Sequence, residues 1–344
     1  MDLDAFFAAV EALENPALAG KPLVVGGTPA QRGVVSTASY EARAFGIHSA
    51  MPTSQALRLC AHLVIVPVRH SLYRSYSRRV MAILRETTPL VEQVSIDEAF
   101  LDLSAQIEAW DQAIEIARQL QQRIIKEVWL SCSLGVGTNK LVAKVASDYD
   151  KPGGLTIVRP GEEAAFLAPL PVRALWGVGP VTAEKLAAMG IETVGQLAQT
   201  PLAALQVRFG KRGSHMAQQA RGIDRSPLST EHERKSISQE RTFSRDLRDK
   251  RTIKRHLWKM SGQVAEQLNR HKVAAGTIVL KLRYADFTTL TRQTSLTVPT
   301  DDAKTIYRTV LVLMSKAWDR TRAVRLLGVG AKNLSDPVGK MTLF

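Results

Sequence analysis

Val91-Glu-Gln-Val-Ser-Ile-Asp-Glu-Ala-Phe-Leu-Asp-Leu103 decides how this chain is read, because two short apolar runs flank an acidic pair, Asp97 and Glu98, as arms flank the tip of a β-hairpin. Carboxylate oxygens suit a hard cation such as Mg²⁺, which takes one or two protein carboxylates and completes its octahedron with phosphates and water. An acidic dipeptide on a solvated turn is the commoner outcome of such a pattern. The pair therefore needs a companion elsewhere in the chain.

The first residues offer one. Met1-Asp-Leu-Asp-Ala-Phe-Phe-Ala-Ala-Val-Glu11 reads as a strand end running into a helix, with Asp4 at the N-cap and Phe6, Val10 and Leu13 at helical spacing. Asp2 then projects beside a helix N-terminus, whose free amides favour phosphate. Three carboxylates from two segments, next to such a helix start, suggest two-metal phosphoryl transfer.

With 344 residues, 45% of them hydrophobic, the chain is long enough for two or more domains. It shows no signal peptide and no apolar run of membrane-spanning length. Cys60 and Cys132 sit in apolar neighbourhoods and read as buried free thiols, which speaks against a metal-thiolate site. Residues 1–233 hold 23 Lys and Arg against 23 Asp and Glu, whereas residues 234–344 hold 23 against 9, so the whole net charge of +14 falls in the C-terminal third. That asymmetry fits a domain that tracks a phosphate backbone, with an acidic partner protein as the other reading.

Residues 14–69 read as a small inserted unit, with strands over 22–25 and 33–36 and a helix over 39–45 closed by Gly46. A helix over 72–86, the acidic hairpin, a long helix over 107–128, a strand over 130–136 and a helix to 148 predict an α+β sheet covered by helices on one side. From 159 to 221 the pattern is all helix. Within it Leu175-Trp-Gly-Val-Gly-Pro-Val-Thr-Ala-Glu-Lys-Leu-Ala-Ala-Met-Gly-Ile191 has the form of a helix-hairpin-helix, where Gly177 and Gly179 permit a tight turn and Lys185 follows on the second helix. The exposed amides of such a turn can bind a DNA phosphate without reading bases, although a plain helix-to-helix turn has the same outline. Residues 222–235 read as a tether. A strand over 236–243, a helix over 252–272, a strand pair over 276–297, a helix over 301–320 and a strand over 324–329 make a βαββαβ unit. Arg241, Lys281, Arg283, Arg292, Arg322 and Arg325 fall on or near its strands as a group of candidate DNA contacts.

The segments D-L-D-A-F-F-A-A-V-E, S-T-A-S-Y-E-A-R-A-F-G-I, S-I-D-E-A-F-L-D-L and A-S-D-Y-D-K-P-G-G occur here in one order. With the basic C-terminal domain, they resemble the Y-family translesion DNA polymerases over essentially the whole chain. The resemblance implies a multidomain right-hand fold: a palm from 1–13 and 70–158, fingers from 14–69, a helical thumb from 159–221, a linker from 222–235 and a little finger from 236–344. It implies that Asp2, Asp97 and Glu98, joined by the backbone carbonyl of Leu3, hold two Mg²⁺ ions for template-directed addition of deoxynucleotides to a primer 3′ end. Phe6, Phe7, Thr37, Tyr40, Arg43 and Lys151 would surround the incoming nucleotide. Phe7 matches the steric gate that rejects a ribonucleotide's extra hydroxyl, while the usual role for Phe6 is in the core.

The small residues Ser36, Ala38 and Ser39, together with a fingers unit of only about fifty residues, imply loose checking of the new base pair, while low fidelity and lesion bypass are what the resemblance implies. Primer-template DNA and deoxynucleoside triphosphates are the implied partners, for a monomer in the bacterial cytoplasm with no membrane attachment. Family members carry several apolar residues before the aspartate that matches Asp2, where Met1 stands here, so either the start is placed too late or the strand is truncated; the chain as written is expected to have a strand that frays and an ammonium that repels Mg²⁺. The tail Lys340-Met-Thr-Leu-Phe344 resembles the family's sliding-clamp peptide, with Lys340 where glutamine is usual, and a frayed hydrophobic terminus is the other reading. A non-catalytic DNA-binding protein on a polymerase scaffold is the alternative, but it would have no need of all three carboxylates. A nucleotidyl cyclase would lack the thumb and the basic domain.

Overall fold

The computed structural model describes residues 1–231 and 233–337, so the clamp-like tail at 340–344 lies outside the described residues. The chain divides into two units: Met1–Gly26, Val35–Met51 and Gln55–Glu231 form the first, and Gly27–Val34, Pro52–Ser54 and the C-terminal domain form the second.

The first unit opens with β1 (Asp2–Leu3) and α1 (Phe6–Glu14). A three-stranded sheet in the order β3-β2-β4 follows, from β2 (Leu23–Gly26), β3 (Val35–Ala38) and β4 (Val64–Val66), with α2 (Tyr40–Arg43) and α3 (Thr53–Leu59) in the connection. Next come α4 (His70–Thr87), the hairpin strands β5 (Val91–Gln93) and β6 (Ala99–Leu101), α5 (Trp110–Val128), β7 (Cys132–Val136), α6 (Lys140–Tyr149) and β8 (Leu155–Ile157). β1 lies antiparallel to β7, Asp2 opposite Ser133 and Leu3 opposite Cys132, and β7 runs parallel to β8. A second bridge pairs Asp2 with Glu98, so two residues of β1 join the acidic hairpin to this sheet.

Alternation along β7 separates two faces. Cys132 and Leu134 share a core with Leu3, with Tyr73, Val80 and Leu84 of α4, and with Leu120, Ile124 and Val128 of α5. Ser133 and Gly135 face the other way, and there α6 lies on the sheet. Helices therefore cover both faces, not one as the sequence suggests. Gly135 is the physical reason: a Cβ there would stand 2.1 Å from the carbonyl oxygen of Ala143 and 2.4 Å from the amide nitrogen of Ser147, so no other residue allows α6 so close.

Asp4 is not the N-cap. That position falls to Ala5 in the left-handed region at φ 44°, and no side chain caps α1. The Asp4 carboxylate instead accepts from Ser131 Oγ (2.7 Å), Ser133 Oγ (2.8 Å) and the Gly153 amide (2.8 Å), which pins the turn that Ala5 strains.

Five short helices complete this unit: α7 (Glu163–Leu167), α8 (Pro180–Ala187), α9 (Val194–Gln199), α10 (Leu202–Phe209) and α11 (Lys211–Gln219). They share one core with Leu141, Val142 and Val145 of α6. The first arm of the expected helix-hairpin-helix is only a 3₁₀ turn, Val172–Ala174. The expected tether is docked through Ser229: Gly222 O accepts from Asn139 Nδ2 (2.9 Å), Pro227 O from Lys140 Nζ (2.9 Å), and the Ser229 amide donates to Glu92 (2.9 Å).

The C-terminal domain has the βαββαβ order, with β9 (Ser236–Leu247), α12 (Lys250–Arg270), β10 (Ala274–Tyr284), β11 (Thr289–Thr300), α13 (Ala303–Ala317) and β12 (Val324–Ser335). Its antiparallel sheet runs β11-β10-β12-β9, and α12 and α13 cover one face with Ile253, Leu257, Val264, Ile306 and Val310. No helix among the described residues is long and apolar enough to cross a membrane. Cys60 and Cys132 are buried free thiols, and burial pushes the Cys132 thiol up to about 12.

The expected fraying at Met1 is not found. Met1 is 8% exposed and exchanges both backbone bonds with Ala99 (3.0 and 3.1 Å), its own ammonium serving as donor. Burial lowers the pKa of that ammonium, which weakens its repulsion of a neighbouring cation. Ahead of Met1, β6 and β7 continue on either side of a cavity of about 380 Å³ lined by Phe100, Leu101, Leu134, Gly135, Val136 and Ala117. The Leu134 amide bonds to Gly154 O and Val136 O takes the Val158 amide (both 2.9 Å), so alternation turns the polar groups of Gly135 into the cavity. Leu101, two residues past Ala99, faces it from the other bank. Four alternating apolar residues added before Met1 would pair with both banks, and we expect them to raise Tm by about 2–4 °C over a Gly-Ser extension of equal length, read by calorimetry.

Candidate active site

Asp2 and Glu98 pair across an antiparallel bridge, so their side chains emerge on one face, the face that carries α6. Lys144 rises from α6 between them, its Nζ 2.7 Å from Asp2 Oδ2 and 2.6 Å from Glu98 Oε1. Lys151 Nζ takes the other Asp2 oxygen at 2.6 Å, and both lysines reach Asp148 at 3.0 Å. Burial alone would raise Asp2, but its bond with Glu98 and the two ammonium groups bring its carboxyl down to about 2. Glu98 moves the other way, pushed up by burial and by its negative neighbour. Burial works against the charge on Lys144, yet the surrounding carboxylates outweigh it and its pKa rises.

The Asp97 carboxylate does not join this pair. Ser95 Oγ donates to Asp97 Oδ1 (2.5 Å) and accepts from the Asp97 and Glu98 amides (3.1 and 3.0 Å), a knot that shapes the hairpin tip. Among the described residues no three acidic, histidine or cysteine side chains gather into a metal-holding cluster. Leu3 donates its amide to Asp97 O at 3.0 Å, so its carbonyl lies on the same edge as the tip, and the Asp97 amide that would close the pair is turned to Ser95. Two hard carboxylates already sharing one cation, with a carbonyl edge beside them, make a donor set that fits a divalent ion.

Around this centre, Tyr40 donates to Asp4 Oδ1 at 3.3 Å, and burial pushes its hydroxyl up to about 12. The Arg43 guanidinium lies over the Tyr40 ring at 4.6 Å and bonds to Ala38 O at 3.1 Å. Thr37 sits on β3, opposite Val25. Phe7 stacks on Tyr73, with centroids 4.1 Å apart and the rings 13° from parallel. Phe6, one residue earlier, is 1% exposed inside the core, so its ring is not available to a ligand. Sequence reasoning missed Lys144, Ser95 and the buried carboxylate Glu11, which Tyr73 (2.5 Å) and Arg69 Nε (2.9 Å) hold beneath α1.

The candidate DNA contacts fall into separate groups. Gly177 takes φ 90° in an exposed turn whose carbonyl bonds to Arg212, Gly179 precedes α8, and Lys185 is exposed on that helix. Lys281 and Arg283 lie on the helix-free face of the C-terminal sheet, opposite Thr291 and Thr289, with Lys281 paired to Glu240 at 2.6 Å. Arg241 is opposite Leu327 and Arg292 opposite Leu280, so register puts these two on the helix-bearing face at the sheet's edges. Arg322 pairs with Asp286 (2.5 Å) above the Tyr284 ring, and Arg325 lies over Phe287.

The family described as impB/mucB/samB matches residues 1–148, its C-terminal domain matches residues 234–343, and a DNA polymerase-iota thumb domain matches residues 173–224. The chain is 44% identical to a DNA polymerase IV of Streptococcus mutans, covering 98% of this chain and 92% of the relative. It is 42% identical to that of Halorhodospira halophila, covering 100% and 97%. Among solved structures, a Y-family DNA polymerase chimera of Dbh and Dpo4 superposes with a TM-score of 0.88 at 30% identity, covering 97% of this chain and 98% of that one. An insertion ternary complex of Dbh DNA polymerase gives 0.68 at 29%, with the same coverage. The chain belongs to the impB/mucB/samB family of Y-family DNA polymerases, and it is a DNA-directed DNA polymerase of the translesion kind.

Proposed function

We propose that Asp2 and Glu98, with Asp97 and the Leu3 carbonyl, would hold two Mg²⁺ ions where a primer 3′-hydroxyl attacks the α-phosphorus of a deoxynucleoside triphosphate, forming the new phosphodiester bond as the α–β bond breaks and pyrophosphate leaves. The observation that carries this reading is the bridge between Asp2 and Glu98, which sets two carboxylates from distant segments around one cation. When bound, the metal pair would lower the pKa of the attacking hydroxyl and offset charge on the phosphates.

The chain's own groups do the positioning. The uncapped first turn of α1 presents free amides toward an anion, Arg43 and Lys151 add fixed positive charge, and Tyr40 adds a hydroxyl held by Asp4. Phe7, held flat by Tyr73, presents a wall to the sugar. The hairpin turn at Gly177 to Gly179 and the basic face with Lys281 and Arg283 suit a DNA backbone, with Arg241, Arg292, Arg322 and Arg325 as flanking charge. On this reading the first unit supplies palm, fingers and thumb, the C-terminal domain is the little finger, and the bacterial relatives favour a cytoplasmic setting.

Primer extension with Mg²⁺ tests the chemistry. Asp97→Ala is expected to lower template-dependent synthesis by about a thousandfold or more while DNA binding persists. Wild-type chain that binds primer-template yet never extends it would favour the non-catalytic alternative.

Phe7→Ala is expected to admit ribonucleotides at least roughly tenfold more readily, with deoxynucleotide incorporation largely kept, in single-nucleotide competition assays. Unchanged sugar selectivity would remove the gate from Phe7.

A further inference from the structure

We propose that Lys144 is the resident counter-ion of the acid pair, standing between Asp2 and Glu98 until a divalent cation displaces it onto Asp148. The inference rests on the metal site proposed above and deepens it. Lys144 Nζ donates to Asp2 at 2.7 Å and to Glu98 at 2.6 Å, and it is ion-paired with Asp148 at 3.0 Å. The three acids form a path outward: the Asp2 side chain is 9% exposed, Glu98 28% and Asp148 50%. Asp148 lies one turn along α6 from Lys144 and also binds Lys151, so a landing place stands ready beside the site.

A divalent ion needs the same Asp2 and Glu98 oxygens that the ammonium holds. The two cations repel strongly within a few ångströms of each other, so they cannot share those oxygens. Lysine carries its charge on a flexible four-carbon stem and can swing the short distance to Asp148 without leaving the carboxylate cluster. While Lys144 is in place, two carboxylates that would otherwise repel stay side by side. Bare ions then bind weakly, and a cation arriving with triphosphate oxygens of its own is favoured.

Titration of the full chain with Mn²⁺ alone, without DNA or nucleotide and with free ion counted by EPR, tests this. Lys144→Met is expected to bind bare Mn²⁺ about tenfold more tightly than wild type, and Asp148→Asn about threefold more weakly. Asp148→Asn should have little effect in the Lys144→Met background, because its role is to receive that lysine. Lys151→Met should change affinity less than Lys144→Met, since Lys151 contacts Asp2 but not Glu98. The proposal is overturned if Lys144→Met binds no more tightly, if Lys151→Met matches it, or if the Asp148→Asn effect persists in full without Lys144. Should Lys144→Met fail to fold, Lys144→Gln is held to the same outcomes. Asp2→Asn is the separate control: Mn²⁺ binding that survives it would remove the metal site itself, whatever Lys144 does.

Discussion

Two carboxylates fixed side by side on a half-buried face repel unless a cation lies between them, and the architecture of the first unit follows from meeting that condition. Asp2 arrives on a strand of two residues, far too short to be stable by itself. It is held because β7 pairs with one edge and the hairpin tip and Ala99 pair with the other. The compensating charge comes from a third element, α6, and Gly135 sets the distance at which that helix lies. A single methyl group at Gly135 would move Lys144 away from both acids at once.

Asp4 ties this centre to α2, the helix proposed to face the nucleotide. Its carboxylate gathers two serine hydroxyls, the Gly153 amide and the Tyr40 hydroxyl, so four segments meet on one buried side chain. That convergence offsets the left-handed Ala5, which costs on the order of 1 kcal/mol or more. Because Ala5 turns the chain sharply, α1 starts immediately beyond β1. Phe6 is then directed into the core, and Phe7, about 100° further round the helix, is directed outward onto Tyr73.

Much of this is legible in the residues themselves. The acidic hairpin, the amphipathic α4 and α5 and the βαββαβ order of the C-terminal domain all follow from periodicity, because each buries one continuous stripe or face. Asp4 is not legible in this way, because an aspartate before a helix has the same local pattern whether it caps the helix or accepts from serines more than a hundred residues away. Lys144 gave no signal as a lone cation in a helix. Its spacing with Asp148 and Lys151 could have shown three charged residues near one helix end, though not the acids they face. Strand composition groups Arg241 and Arg292 with Lys281 and Arg283, but register decides which face each joins. That register passes irregularities between Val324 and Leu326 and between Ala275 and Thr277, which no count of alternate residues foresees.

The division of charge along the chain has a chemical logic. Residues 1–233 balance 23 basic against 23 acidic side chains, and around Asp2 and Glu98 the charges offset to within one, with Lys144 and Lys151 set against three carboxylates. A strongly positive catalytic centre would hold pyrophosphate and template strand alike and release neither readily. A strongly negative one would keep its cations but repel the triphosphate. Placing the surplus of 23 basic against 9 acidic residues in the C-terminal third lets backbone attraction be set by one domain and phosphate chemistry by another. On the proposed reading, ionic strength acts mainly on how long DNA is held, since screening reaches exposed arginines on an open sheet far more than a lysine enclosed by carboxylates.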